Sequence, residues 1–227
     1  MGTEATSSPF LAALTDDDAR DLRALGRVRS YAPGDAIFHQ GDEPAGIHVM
    51  LSGRVKVSMS TPGGKNVILA FRGPGDILGE LAAIGGGSRT TAVRAIEPVG
   101  TLFVSTTDFL RFLDTHPRAS MNLVLVLIER LRYSDDGRLE FAAHDVVGRV
   151  ARRLVELCER FGETAAKPGG AVEVPLALSQ EELASWTVSS REAVVKAVRL
   201  LREFGWIETR RRRIVVRDLD ALRRYAD

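Results

Sequence analysis

Glu80 and Arg89 stand nine positions apart in Gly75-Asp76-Ile77-Leu78-Gly79-Glu80-Leu81-Ala82-Ala83, followed by Ser88-Arg89-Thr90-Thr91-Ala92. This stretch combines a glycine turn, a carboxylate, a guanidinium and two hydroxyls. A carboxylate accepts hydrogen bonds from sugar hydroxyls, and a guanidinium offers a planar fork of donors that matches a phosphate. Gly79 lets a ligand lie against the backbone. The chemistry these residues equip is the grip of a ribose and a phosphate in one small pocket, with Gly79, Glu80, Leu81, Ala82, Arg89, Thr90 and Thr91 as its residues. Glu80 with Arg89 is a binding pair rather than an acid–base pair. The sequence offers no nucleophile–base set and no metal cluster, so an enzyme is not expected.

A second set of polar residues lies near the C-terminus. Ser179-Gln180-Glu181-Glu182 reads as a helix N-cap with an acidic first turn, opening a short helix to Trp186. After Thr187-Val188-Ser189, Ser190 caps a second helix over 191–204, and two short strands (207–209 and 214–216) flank Arg210-Arg211-Arg212-Arg213. Helix, short turn, capped helix and β-hairpin is a winged helix-turn-helix. The start of its second helix enters the major groove, which makes Arg191, Glu192 and Lys196 the base-reading candidates. Ser179 and Gln180 face the DNA backbone together with the free N–H groups of their own helix. Arg211 and Arg212, in the wing, lie near phosphates.

The elements that must position these two sites follow from periodicity. Residues 9–25 read as a short helix with Thr15 as N-cap. From Val28 to Val104 short β-prone runs (36–38, 46–51, 54–59, 67–71 and 99–104) alternate with Gly, Pro and Asp turns about every ten residues. That spacing points to an antiparallel sandwich or barrel. A helix over 106–115 precedes a long one over 117–144. On the long helix Val124, Leu127 and Leu131 recur at three and four, and continuing the count gives Ser134, Arg138 and Phe141. This is a coiled-coil seam and predicts a parallel homodimer. The seam is impure, because polar residues occupy core positions and Gly137 weakens the helix by about 1 kcal/mol. Residues 146–161 form an amphipathic helix, and 162–170 a polar loop. The β domain is expected over 1–116, the dimerisation helix over 117–144 and the DNA-binding domain over 145–227.

The 227 residues allow one large or two ordinary domains, and no apolar run reaches the ~18–20 residues that span a bilayer. The N-terminus lacks the pattern of a secretory signal, and a cytoplasmic protein is expected. With Cys158 as the single cysteine, an intramolecular disulfide, a Cys-ligated iron–sulfur cluster and a Cys-rich zinc site are all excluded. His39, His48, His116 and His144 lack ligand spacing, so no metal is expected. Net charge is +1, yet residues 191–227 hold eleven Lys/Arg against six Asp/Glu. A basic module in a balanced chain implies an anionic partner.

The Gly79–Ala92 stretch resembles the phosphate-binding cassette of cyclic-nucleotide-binding domains. Cassette, long helix and winged helix in that order resemble the bacterial CRP/FNR family. Further matches are Gly34-Asp35, Phe38-His39-Gln40-Gly41, residues 51–57, Asp145-Val146-Val147-Gly148-Arg149-Val150 and Ser190-Arg191-Glu192. The resemblance implies an α+β chain: an antiparallel β-barrel of double-stranded β-helix type, then the dimerisation helix, then the winged helix-turn-helix. It implies a homodimeric transcriptional regulator of double-stranded DNA, reading a pseudo-palindromic site with a GTG-like half-site core. The effector would be a cyclic nucleotide, cAMP, with no further cofactor, and RNA polymerase would be a partner. Glu80 would take the ribose 2′-hydroxyl, Arg89 and Thr90 the cyclic phosphate, Ser134 the adenine, with Asp135 beside it, and Asp145 would be the hinge. Two other readings stay open: a regulator of this type with a different effector or none, and a cyclic-nucleotide sensor without a transcriptional role. Departures from the family pattern are Asp135 and Arg138 on the long helix, and Val188 in place of the glycine common in the recognition turn.

Overall fold

The computed structural model describes residues 9–164, 171–174, 178–210 and 213–226. In chain order the elements are a 3-10 turn (Phe10–Ala13), α1 (Asp16–Leu25), β1 (Arg27–Tyr31), β2 (Ala36–Phe38), β3 (Gly46–Ser52), β4 (Val55–Ser60), β5 (Asn66–Arg72), β6 (Ile77–Leu78), α2 (Glu80–Gly85), β7 (Ala92–Ala95), β8 (Val99–Ser105), α3 (Thr106–Thr115), α4 (Pro117–Ala143) and α5 (Val146–Phe161). Then come β9 (Glu163–Thr164), β10 (Val172–Val174), α6 (Gln180–Trp186), α7 (Arg191–Glu203), β11 (Ile207–Arg210), β12 (Arg213–Val216) and α8 (Leu219–Ala226). The chain packs as two compact units that divide between Arg132 and Tyr133, inside α4.

In the first unit two four-stranded antiparallel sheets, ordered β1-β8-β3-β6 and β2-β7-β4-β5, form the expected β domain. Alternation along β8 sends Leu102 and Val104 inward, where they meet Ile47 and Val49 of β3, Phe109 and Phe112 of α3 and Leu22 of α1. The single helix expected over 9–25 is two pieces. Leu14 is extended (φ −77°, ψ 151°) and breaks them, so that the Thr15 hydroxyl can accept from the Asp18 backbone N–H at 3.1 Å.

The first half of α4 belongs to this core: Ala119, Leu123 and Val126 are buried in it. Burying a Leu or Val side chain stabilises by roughly 1.5–3 kcal/mol, which ties the helix to the sheets. Leu127, expected in the dimer seam, is half-buried against the same core. Val124 and Leu131 are exposed as the seam requires, but Met121, Leu125, Ile128 and Leu139 are exposed too. The apolar stripe is therefore centred about one position away from the 124–127–131 count. The cause is that α4 has an inward face as well as an outward one, and a period of three and four does not distinguish them. Phe141's side chain lies outside the described residues.

In the second unit α5, α6 and α7 surround a small core closed by a sheet ordered β11-β12-β10-β9 and by α8. β9, β10 and α8 were not read from the sequence. Arg211 and Arg212, like most of the 162–170 loop, lie outside the described residues. The helix expected over 117–144 to dimerise is not a separate piece of the packing, since its two halves belong to different units. Asp145 lies inside the second unit, where its carboxylate caps α5 by accepting from the Gly148 N–H at 2.8 Å. Among the described residues no helix is long and apolar enough to cross a membrane.

Candidate functional site

Gly79 ends the β6 strand in the left-handed region (φ 82°) and starts α2. A Cβ there would come within 2.3 Å of the Arg89 guanidinium, so glycine is required by both backbone and space. Glu80, the first residue of α2, is only 2% exposed, and Arg89 is 5% exposed. The turn thus buries one negative and one positive side chain in the same corner of the β domain.

Each of the two charges is held by its own partners. Arg89 donates from Nη1 to the Gly79 carbonyl at 2.6 Å and from Nη2 to the Gly46 carbonyl, and its guanidinium lies 4.4 Å from the centre of the Phe38 ring. Its Nε is buried without a hydrogen-bond partner. Burial pulls the Arg89 pKa below the ordinary arginine value, against the opposing pull of Glu80 and Asp42. Glu80 Oε1 accepts from Arg130 Nη1 at 2.7 Å, and Arg130 Nη2 donates to the Ile77 carbonyl at 2.8 Å. Arg130 comes from α4 and was missed by sequence reading. Nothing in its spacing from Glu80, fifty residues away, marks it. Only the docking of α4 on the β domain brings the two together.

Among the other cassette residues Ala82 is buried, Leu81 and Thr90 are exposed, and Thr91 is half-buried. Ser134 and Asp135 belong to the second unit and are both exposed, with Asp135 Oδ1 accepting from Arg138 Nη1 at 3.3 Å. The polar seam position therefore carries its own surface ion pair. Behind the cassette His48 is buried between the rings of Tyr31, Phe38 and Phe103, with Nδ1 at 3.0 Å from the Thr101 hydroxyl. Burial above all, then Arg29 and Arg89, push its pKa down to about 3, so it is neutral at physiological pH.

In the second unit Ser179 caps α6 through a full capping box with Glu182, and Ser190 caps α7 by accepting from the Ala193 N–H at 3.2 Å. Ser179, Gln180, Ser190, Arg191, Glu192 and Lys196 are exposed, except that Ser179 and Ser190 commit their hydroxyls to the caps. The Glu192 carboxyl is held below the usual carboxylate range by its own backbone N–H, the Ser190 hydroxyl and the neighbouring Arg191 and Lys196. Val194, Ala197, Val198 and Leu201 seat the opposite face of α7 in the core.

The turn between α6 and α7 keeps the glycine conformation without the glycine. Val188 has φ 49°, the one non-glycine in the left-handed region among the described residues. Its neighbours hold it there. Arg149 donates to the Thr187 carbonyl at 3.2 Å and to the Ser189 hydroxyl at 3.0 Å, and the Ser189 N–H reaches the Ala184 carbonyl at 2.9 Å. Arg149 was matched by motif in the sequence, but its role as a clamp on this turn was not readable there. A recess of about 570 Å³ lies elsewhere on this unit, lined by Arg199, Arg202, Glu208 and Arg210 among others. Arg199 pairs with Glu203 and Arg210 with Glu208, so the recess is not a strongly cationic anion site.

Comparison with known proteins identifies both domains. The cyclic nucleotide-binding domain family matches residues 28–116, and the Crp-like helix-turn-helix domain family matches residues 148–225. The CRP-like cAMP-activated global transcriptional regulator of Mycobacterium tuberculosis is 32% identical over 196 residues, 86% of each chain. Among solved structures, FixK2 from Bradyrhizobium japonicum aligns with a TM-score of 0.75 at 24% identity, over 89% of this chain and 98% of its own. The c-di-GMP responsive global regulator CLP of Xanthomonas campestris aligns with a TM-score of 0.74 at 23% identity, over 89% of this chain and 99% of its own. These two structural likenesses speak for the fold. With a nucleotide-binding β domain and a winged helix-turn-helix joined by α4, the chain belongs to the CRP/FNR family of DNA-binding transcriptional regulators.

Proposed function

We propose that this protein is a homodimeric transcriptional regulator whose grip on a pseudo-palindromic DNA site is set by cAMP. The observation that carries the reading is the buried Glu80–Arg89 corner. Arg89 keeps a buried, unpartnered Nε–H, and Gly79 leaves the backbone open beside it. A cyclic phosphate would take donors from Arg89 and the hydroxyl of Thr90, and the ribose 2′-hydroxyl would donate to Glu80. Binding would compete with, or bridge, the Glu80–Arg130 contact, which gives the ligand a route to α4. Support for cAMP over other cyclic nucleotides comes from the cAMP-activated Mycobacterium tuberculosis relative.

Dimerisation would bury the stripe of Met121, Val124, Leu125, Ile128, Leu131 and Leu139, and would bring Ser134 and Asp135 toward the purine. Two recognition helices would then meet half-sites one helical turn apart, with Arg191 pairing a guanine and Glu192 accepting from a cytosine amino group. Asp145 would serve as the hinge, and RNA polymerase as the downstream partner. Because the Arg89 side chain also braces two carbonyls, the test pairs Arg89→Ala with Glu80→Gln. Calorimetric titration should give micromolar cAMP binding by the wild type, weaker cGMP binding, and at least tenfold loss in both variants. Absence of heat for either nucleotide with the folded wild type would retire the cyclic-nucleotide switch. The DNA-binding role would then stand with another effector, and Asp135 and Arg138 would be the place to look for it.

A further inference from the structure

Helix α7 exposes Arg191, Glu192, Val195, Lys196 and Arg199 on one face, while Val194, Ala197, Val198 and Leu201 face the core. Val195 is 39% exposed, and it is the one large apolar side chain of α7 so exposed among the described residues. An isolated apolar residue on a protein surface is ordinary. This one is not placed at random: it follows Arg191 by four residues and precedes Arg199 by four, in the middle of a face otherwise made of charges. A β-branched residue is also a poorer helix former than the Ala, Lys or Glu an exposed position would otherwise favour. Its stiffness has a use, because in a helix valine holds essentially one χ1 rotamer and presents its methyl groups in a fixed place at no ordering cost.

The edges of the bases in the major groove carry hydrogen-bonding groups and a single apolar one, the 5-methyl of thymine. We propose that Val195 is a specificity-determining residue that recognises a thymine through its 5-methyl group. This rests on α7 being the helix that reads DNA. Four residues of helix advance about 6 Å along its axis. With base pairs about 3.4 Å apart, that places the thymine one to two base pairs from the base contacted by Arg191. Arg191, Glu192 and Lys196 then supply polar recognition, and Val195 supplies discrimination of thymine from cytosine at one position.

The test uses the full-length protein with saturating cAMP, and again without it. A duplex is first selected from random sequence by the wild type, and each thymine of a half-site is then replaced singly by deoxyuridine, which lacks only the methyl. One replacement should weaken wild-type binding about fourfold per half-site, roughly what burying one methyl group contributes. Val195→Ala should bind the thymine duplex more weakly by a similar factor and be indifferent to that same replacement. Val195→Ala improves helix propensity at an exposed site, so its fold is safe. If every thymine tolerates deoxyuridine, or Val195→Ala still senses the lost methyl, the proposal fails while DNA reading by α7 stands. Failure of the wild type to enrich any sequence would overturn both.

Discussion

Helix α4 is fastened by an ion pair in each of the two units, and the two fastenings are built differently. In the β domain the core element supplies the carboxylate, Glu80, and α4 supplies Arg130, whose side chain is 22% exposed. In the second unit the polarity is reversed: α4 supplies Glu140, 1% exposed, and α5 supplies Arg153, 8% exposed, at 2.6 Å. Arg153 also donates to the Tyr133 hydroxyl at 2.7 Å and to Glu156 at 2.9 Å, and it lies 5.3 Å from the Trp186 ring. Burial alone would lower the Arg153 pKa, but Tyr133, Glu156 and Glu140 together raise it. The first fastening is a single ion pair at the edge of the proposed nucleotide site, where a ligand hydroxyl would replace its partner. The second is closed on all sides and holds several hydrogen bonds at once, although Arg153 Nε and Glu140 Oε1 are buried without a partner. Buried charge by itself does not mark a functional site. What distinguishes the two is whether an exchangeable partner has access.

Cutting each fastening tests this contrast, and Arg153→Met should have the largest effect. It leaves the buried Glu140 with only the longer 3.8 Å contact to the more exposed Arg152, so chemical denaturation should show a loss of about 3 kcal/mol. Adding Glu140→Met to it should recover most of that loss, because no buried charge then lacks a partner. Persistent destabilisation in the double variant would show that packing, rather than charge pairing, makes the joint. Arg130→Met should cost less, about 2 kcal/mol, because Arg89 remains as a positive neighbour of Glu80. It should, however, change cAMP affinity, which Arg153→Met should leave alone.

Acid sharpens the comparison next. His48 titrates at about 3 when folded against 6.5 when unfolded, so below pH 6.5 the unfolded chain binds the proton that the folded one refuses. The stability His48 contributes is complete above pH 6.5 and is lost as pH falls toward 3, by about 1.4 kcal/mol at pH 5.5. Denaturation at pH 7 and 5.5 should show this loss in the wild type, and His48→Gln should remove that part of it. The smallest effect is a gain. Val188→Gly relieves a left-handed β-branched residue, and thermal melting should show stabilisation of about 1 kcal/mol after the entropy cost of glycine. Destabilisation would mean that the Val188 side chain packs usefully despite its backbone.

Much of this molecule was legible from its residues. Thr15, Ser179 and Ser190 announced helix starts because a hydroxyl or carboxylate before an amphipathic run has a local job, accepting a free N–H three residues on. Gly79, Glu80 and Arg89 were legible for a similar reason, since their chemistry and their conformational need lie within one short segment. Leu127 is half-buried against the β-domain core, and a period of three and four identifies an apolar face without saying what covers it. Val188 shows the complementary case. Its side chain predicts avoidance of positive φ, yet Arg149, forty residues before Ser189, and the Ser189–Ala184 bond hold the turn in place.

The sequence by itself determined the order of β domain, long helix and winged helix, the cassette and the charged face of α7, because each rests on neighbours in the chain. The tertiary structure alone decided that Arg130 meets Glu80, that Arg153 meets Tyr133 and Glu140, and that α4 divides its two halves between units. Those contacts join segments far apart in sequence, and their energies depend on burial and on the geometry of facing groups, which no local pattern encodes.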